Sequence, residues 1–344
     1  MVLFNRGAFR VLLLLLVVLV AVLVYGWAMM IWMPGKSFQG KLPPWTEEEM
    51  RLSATLAELV EEIAGEIGER NIQTPDRYHE AADFIEERFH ASGYAVKRQT
   101  FDVSGVACSN LEAAIRGASR PDEIIVIGAH YDTVPGSPGA NDNTSGVAGT
   151  LALASLMADS RPGRTVRFVA FANEETPYFY TENMGSLRYA RQARENGEKI
   201  VGMISLETIG YFSDEQGSQK YPFPLNRFYP SRGNFVGFVT HTRADSRVLL
   251  REAIAVFRER TSFPSEGAIL PERIPGVGWS DHWAFWQAGY PAFMITDTAP
   301  YRYPHYHTEQ DTPEKLDYPR MARIVKGIES VVAALAATEE KAAQ

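Results

Sequence analysis

A chain of 344 residues, 45% apolar and 22% charged, carries enough apolar material for one large core or two small ones. Its formal charge of -8, with no long basic run outside the extreme N-terminus, argues against a nucleic-acid partner. The single cysteine, Cys108, excludes an intramolecular disulfide and any cysteine-built zinc site.

The first element is an uninterrupted apolar run, 11–33, long enough to cross a bilayer as a helix. A cleavable signal peptide would have a shorter apolar core ending in a small-x-small site. Only Gly26-Trp27-Ala28 approaches one, and Met-Met-Ile-Trp follows it, which favours a signal anchor. Arg6 and Arg10, with no compensating acid, assign residues 1–10 to the cytoplasm and the rest of the chain to the periplasmic or cell-surface side. Residues 34–45 read as a short Gly/Pro-rich linker, and 46–344 as one folded domain.

Thr46 and Glu49 form a capping-box signature for a helix running to about Gly68. A second amphipathic helix is expected over 77–92, then alternating strands over 94–103 and 110–116. Buried-strand runs begin at Glu123, Thr165, Lys199, Phe235 and Pro291. Helical stretches at 143–157, 182–195, 246–260 and 312–337 lie between or after them. This alternation predicts an α/β fold, a single globular domain whose mostly parallel central β-sheet is flanked by helices. Residues 212–232 break the pattern with Pro, Gly and aromatics, as a loop rimming a pocket would. Trp279, Trp283 and Trp286 suit an apolar pocket or plain core packing.

Five short segments carry the chemistry: Gly128-Ala-His-Tyr-Asp132, Gly139-Ala-Asn-Asp-Asn143, Asn173-Glu-Glu175, Leu206-Glu-Thr208 and Tyr306-His-Thr308. His130 ends an apolar strand, where open α/β sheets keep their sites, and Asp132 could accept its second ring N–H. Asp142 could cap a helix or bridge two cations with its two oxygens. Glu174 and Glu175 are adjacent carboxylates at a strand end, which is costly unless a cation compensates one and the other serves as a base. Glu207 ends a third strand, and His307 sits in a loop with His305 as a rival. Each has an ordinary structural reading by itself, as a cap, a turn or an exposed loop residue; their joint occurrence points to a metal-dependent hydrolase.

The series GAHYDT, GANDNTSGV, NEE, LETIGY and YHTEQDT, in this order, resembles the co-catalytic two-zinc aminopeptidases of clan MH, the bacterial leucyl aminopeptidase and aminopeptidase Y type. The resemblance spans roughly 46–340, and Ser280-Asp-His282 and Gly289-Tyr-Pro-Ala292 fit the same pattern. It implies a zinc-peptidase/phosphorylase-like fold in a membrane-anchored bacterial member, acting on peptides with a free N-terminus. It implies two zinc ions, replaceable by cobalt or manganese, with Asp142 bridging, His130 and Glu207 on one, and Glu175 and His307 on the other. Glu174 would be the general base toward a metal-bridged water, Asp132 would orient His130, and Tyr306 would stabilise the oxyanion. Many relatives have Asp where this chain has Glu207, a change of reach at constant charge. Another zinc hydrolase or a glutaminyl cyclase on the same fold is the second expectation. A non-catalytic, membrane-tethered binding ectodomain is a distant third.

Overall fold

The computed structural model describes residues 6–337. Residues 1–5 of the expected cytoplasmic end and 338–344 of the expected domain lie outside them. Helix α1 (Arg6–Met30) contains a 22-residue stretch, Phe9–Met30, of mean hydropathy 2.9 that is exposed over most of its length, with Met30 at its end packing against the domain. It is long and apolar enough to cross a membrane, as an anchor or a signal sequence would be. Residues beyond it do not hang free. Met33 is buried, the Pro34 carbonyl accepts from Arg258, Ser37 Oγ accepts from the Ser265 N–H, and the Pro43 and Pro44 carbonyls accept from Arg323.

Helix α2 (Glu47–Val60) starts on the capping box: Thr46 Oγ1 accepts from the Glu49 N–H at 3.1 Å, and Glu49 Oε2 accepts from the Thr46 N–H at 2.7 Å. It widens into a π-helical turn, Glu61–Ile67, and stops at Gly68, whose φ of 78° suits glycine. Helix α3 (Pro75–Ala91) follows.

Eight strands form one sheet: β1 (Val96–Val103), β2 (Val106–Ile115), β3 (Arg120–His130), β4 (Arg164–Phe171), β5 (Lys199–Leu206), β6 (Val236–Thr240), β7 (Ser265–Ile269) and β8 (Ala292–Thr296). Their order is β1-β2-β4-β3-β5-β8-β6-β7. The central strands β4, β3, β5 and β8 are parallel; β1 and β2 form an antiparallel hairpin at one edge, and β6 reverses against β8 and runs parallel to β7. Ile125, Ile127 and Ala129 of β3 join the core beneath α2, α3, α4 (Gly146–Met157), α6 (Ala244–Arg260) and α9 (Tyr318–Ala336). Ile124 and Val126 join the opposite core with α5 (Gly185–Glu195) and α7 (His282–Gln287). Burial on both faces is why the run from Glu123 is continuously apolar instead of alternating. Gly128 lets β3 pass close to its neighbour, since a Cβ there would run into the Val169 carbonyl.

Several boundaries differ from expectation. The helix expected from Asn143 begins at Gly146, because Asp142 and Asn143 occupy a kinked turn with non-helical backbone angles. The one expected from Thr312 begins at Tyr318, where Asp317 accepts from the Arg320 N–H and caps it. Strand β7 and helices α7 and α8 (Ala299–Arg302) were not expected. The 212–232 segment is a loop holding one short 3-10 turn, Leu225–Arg227.

Candidate metal centre

Three parallel strands deliver side chains to the same edge of the sheet. His130 is the last residue of β3, Glu174 and Glu175 follow β4, and Glu207 follows β5. Carboxyl ends of parallel strands are where open α/β sheets bind ligands. Asn173 turns the chain after β4 with φ 54°, a left-handed conformation that Asn tolerates, and its Oδ1 accepts from Tyr78 OH at 2.8 Å. Asp142 comes from the turn before α4, and His307 from the loop after α8.

These residues close on one another in two groups that share Asp142. His130 Nε2 lies 3.3 Å from Asp142 Oδ1 and 3.1 Å from Glu207 Oε2. His307 Nε2 lies 2.9 Å from Asp142 Oδ2 and 3.2 Å from Glu175 Oε1. A third grouping, His130 with Glu174 and Glu175, is looser, with Glu174 Oε2 3.9 Å from His130 Nε2. The rival His305 packs edge-on to Tyr303 and belongs to none of these groups.

Four polar atoms at the centre are buried and make no hydrogen bond: His130 Nε2, both Asp142 oxygens and Glu175 Oε1. Buried polar atoms are rarely left so, and four converging on one point fit a cation. Imidazole and carboxylate donors in this mixture suit zinc. Burial pushes the carboxyl of Glu175 up to about 7 and that of Glu207 up to about 8, and it pushes Glu174 well above the usual range. Burial disfavours a charged His130, but the Glu207 and Glu174 carboxylates outweigh it and raise the imidazole; His307 is likewise raised, to about 10, by Asp142 and Glu175. The cluster thus carries more negative charge than its surroundings compensate.

The supporting contacts are specific. Glu207 Oε2 accepts from Asn143 Nδ2 at 2.9 Å and Ser280 Oγ at 3.0 Å. Asp132 does more than face His130: its carboxylate accepts from the N–H groups of Glu174 and Glu175 at 2.9 and 3.0 Å. Its oxygen is 3.5 Å from His130 Nδ1, while its backbone carbonyl lies closer, at 3.2 Å. Asp132 therefore holds the turn that carries the adjacent glutamates, besides facing the imidazole. The Tyr306 ring stacks on His307 at 3.8 Å.

Sequence reasoning missed two supports. Asp311 accepts from the N–H groups of Asn141 and Asp142 at 2.8 and 3.0 Å, and Tyr303 OH donates to it at 2.9 Å. It lies inside the YHTEQDT segment, so the signal was present, but only the histidine was weighed. Arg70 is fully buried and donates to the carbonyls of Gly68, Tyr131, Pro138 and Gly139 and to Thr144 Oγ1, tying both site loops together. No local pattern marks it.

Beside Glu207 and Tyr306 lies a cavity that opens to solvent, with about 810 Å³ of free space when its open mouth is included. Tyr221, Leu225 and Tyr229 of the 212–232 loop line it, with Trp279; Trp283 and Trp286 pack elsewhere, against Tyr180 and His241.

The model of peptidase family M28 matches residues 110–332. The chain belongs to that family. Membership makes it a zinc metallopeptidase. It is 38% identical over 268 residues to YfbL of Escherichia coli (strain K12), a match covering 75% of this chain and 81% of that one. A probable zinc metalloprotease of Leptosphaeria maculans is 27% identical over 213 residues, 56% of this chain and 47% of the relative, so the chain spans under half of that relative's length. Among solved structures it is similar to BSAP, a zinc aminopeptidase from Bacillus subtilis (TM-score 0.66, 14% identity, 88% of this chain and 97% of that one). It is also similar to a glutaminyl cyclase of Fimbriiglobus ruber (TM-score 0.61, 22% identity, 86% and 97%). At these identities the two structures show the M28 fold and not the reaction.

Proposed function

We propose that this M28 peptidase is an aminopeptidase, removing the first residue from peptides with a free N-terminus. The observation that carries the reading is the sharing of Asp142 between two ligand groups while Glu174 stands outside both, next to a largely apolar pocket that could take a side chain. His130 and Glu207 would hold one zinc ion and Glu175 and His307 the other, with Asp142 shared between the two groups. So held, zinc supplies Lewis acidity toward a peptide carbonyl and acidifies water near neutral pH.

The chain's own groups do the rest. Glu174 Oε2 takes a proton from the attacking water and passes it to the leaving amine. Asp132 fixes the backbone of Glu174 and Glu175, so base and ligand keep one relative position. Tyr306, against His307 and on the cavity wall, offers its hydroxyl to the developing oxyanion. The cavity wall takes the first side chain and excludes water from it. Helix α1 anchors the protein, with the domain on the outer side of the membrane, following the arginines at 6 and 10.

The test uses chelator-stripped protein, with and without zinc, on unblocked aminoacyl amides, their N-acetylated counterparts and an N-terminal glutaminyl peptide. Zinc-restored release from the unblocked amides alone is expected. Cyclisation of the glutaminyl peptide without release from any amide would favour the cyclase and refute the proposal.

A further inference from the structure

The cavity beside the metal centre is mostly apolar, yet Glu266 stands at its far end. The sheet register places it there. The Glu207 N–H donates to the Ile295 carbonyl, so Glu207 continues β5 at the level of Thr296 on β8. Thr296 pairs with Gly237 on β6, and Gly237 pairs with Glu266 on β7. Glu207, Thr296, Gly237 and Glu266 thus form one row across the sheet, three inter-strand steps or about 14 Å long. Residues paired in a row point to the same face, and all four line the cavity. The floor between the two glutamates is Thr296 and Gly237, the latter without a side chain to obstruct it.

The two glutamates are the only charged residues among those lining this cavity. Glu207 is occupied at the metal centre, whereas the Glu266 carboxylate has no hydrogen bond or ion pair among the described residues. Its neighbours are committed elsewhere: Tyr221 OH donates to the Pro230 carbonyl and Tyr229 OH to the Gly267 carbonyl. Arg258, whose charge acts on Glu266, donates to Ser265 and to the Pro34 carbonyl instead. Glu266 also borders the groove beside residues 37–40. Burial raises its carboxyl above the usual range, against the pull of Arg258, so a cation brought beside it is favoured.

We propose that Glu266 is the counter-charge for the first side chain of the substrate, so that the enzyme selects peptides beginning with Lys or Arg. This rests on the aminopeptidase reading and deepens it. The distance along the row suits a long stem: a four-carbon cationic side chain from one end and the two methylenes of Glu266 from the other. Leu225, Ile274, Val277 and Met294 line the cavity and pack against the stem's methylenes, as apolar walls do around Lys and Arg. The preference is a binding effect, carried by a charge far from the reacting bond.

The experiment measures kcat/KM of the zinc-loaded, detergent-solubilised full chain on Lys, Arg, norleucine and Leu 4-nitroanilides. Norleucine matches the lysine stem without its charge. Wild type is expected to favour Lys and Arg over norleucine by about tenfold or more, and Glu266→Gln to cut that ratio by about the same factor, chiefly through KM. Glu266→Asp should give an intermediate ratio. Because the readout is a ratio within one preparation, partial misfolding does not imitate it. A wild-type preference for norleucine or Leu, or a ratio that Glu266→Gln leaves in place, overturns the assignment and leaves the aminopeptidase reading standing. Absence of release from every unblocked substrate overturns both.

Discussion

Replacing Asp132 with Asn keeps the size of the side chain and tests whether one carboxylate positions both the base and a ligand. In the native site its two oxygens accept from the N–H groups of Glu174 and Glu175 at 2.9 and 3.0 Å, and the residue is 2% exposed. An Asn side chain has one acceptor, so its amide NH₂ must face one of these donors. A buried unpaired donor costs about 1–3 kcal/mol, and the surviving bond loses its charge assistance, for a total of about 3 kcal/mol. Asp132 also helps compensate the buried Arg70 guanidinium, which adds to the cost. The turn relaxes to relieve the clash and carries Glu174 and Glu175 with it. Zinc affinity should fall by about 10–100-fold, the usual effect of removing a partner behind metal ligands, and turnover at saturating zinc by a similar factor. Competition titration with a chromophoric chelator gives the affinity, and thermal denaturation gives the stability loss. A variant indistinguishable from wild type in zinc affinity and turnover would refute the positioning role.

Glu174→Gln should retain its zinc by elemental analysis, because Glu174 stands outside the two Asp142-sharing groups, yet lose turnover by about 10²–10⁴-fold. Arg70→Lys replaces five donors with three and leaves buried carbonyls at Gly68, Tyr131, Pro138 or Gly139 unpaired; urea unfolding should show a loss of about 3 kcal/mol. Zinc binding should release protons. The metal-free carboxyls of Glu175 and Glu207 are raised to about 7 and about 8, so both hold protons at mildly acidic pH that the cation must expel. Release should therefore shrink, and apparent affinity rise, as pH increases through that window; calorimetry in two buffers of different ionisation enthalpy reads the proton count.

What the sequence made legible was whatever depends on short-range pattern. The runs beginning at Glu123, Thr165 and Lys199 are mostly apolar because β3, β4 and β5 are covered on both faces, and a residue of the candidate metal centre ends or closely follows each strand. Thr46 and Glu49 announced the start of α2 because a capping box is complete within four residues. Strand β7 was hidden, since Ser-Glu-Gly-Ala-Ile has little apolar periodicity; it exists through pairing with β6 and through the Ser37 hydroxyl that receives the Ser265 N–H. Helix α7 is six residues long and too short for a period to show. Arg70 and Asp311 act on residues more than sixty and more than a hundred and sixty positions away, so only the folded chain reveals what they hold. Glu266 was unreadable for the same reason, because its place opposite Glu207 is set by the register of four strands.

The most direct test of the account is anomalous diffraction at the zinc edge from crystals of the zinc-loaded protein. Two peaks are predicted, one against His130 and Glu207 and the other against Glu175 and His307, with the Asp142 carboxylate between them and Glu174 touching neither. A single peak, or one coordinated by Glu174 or His305, would contradict it.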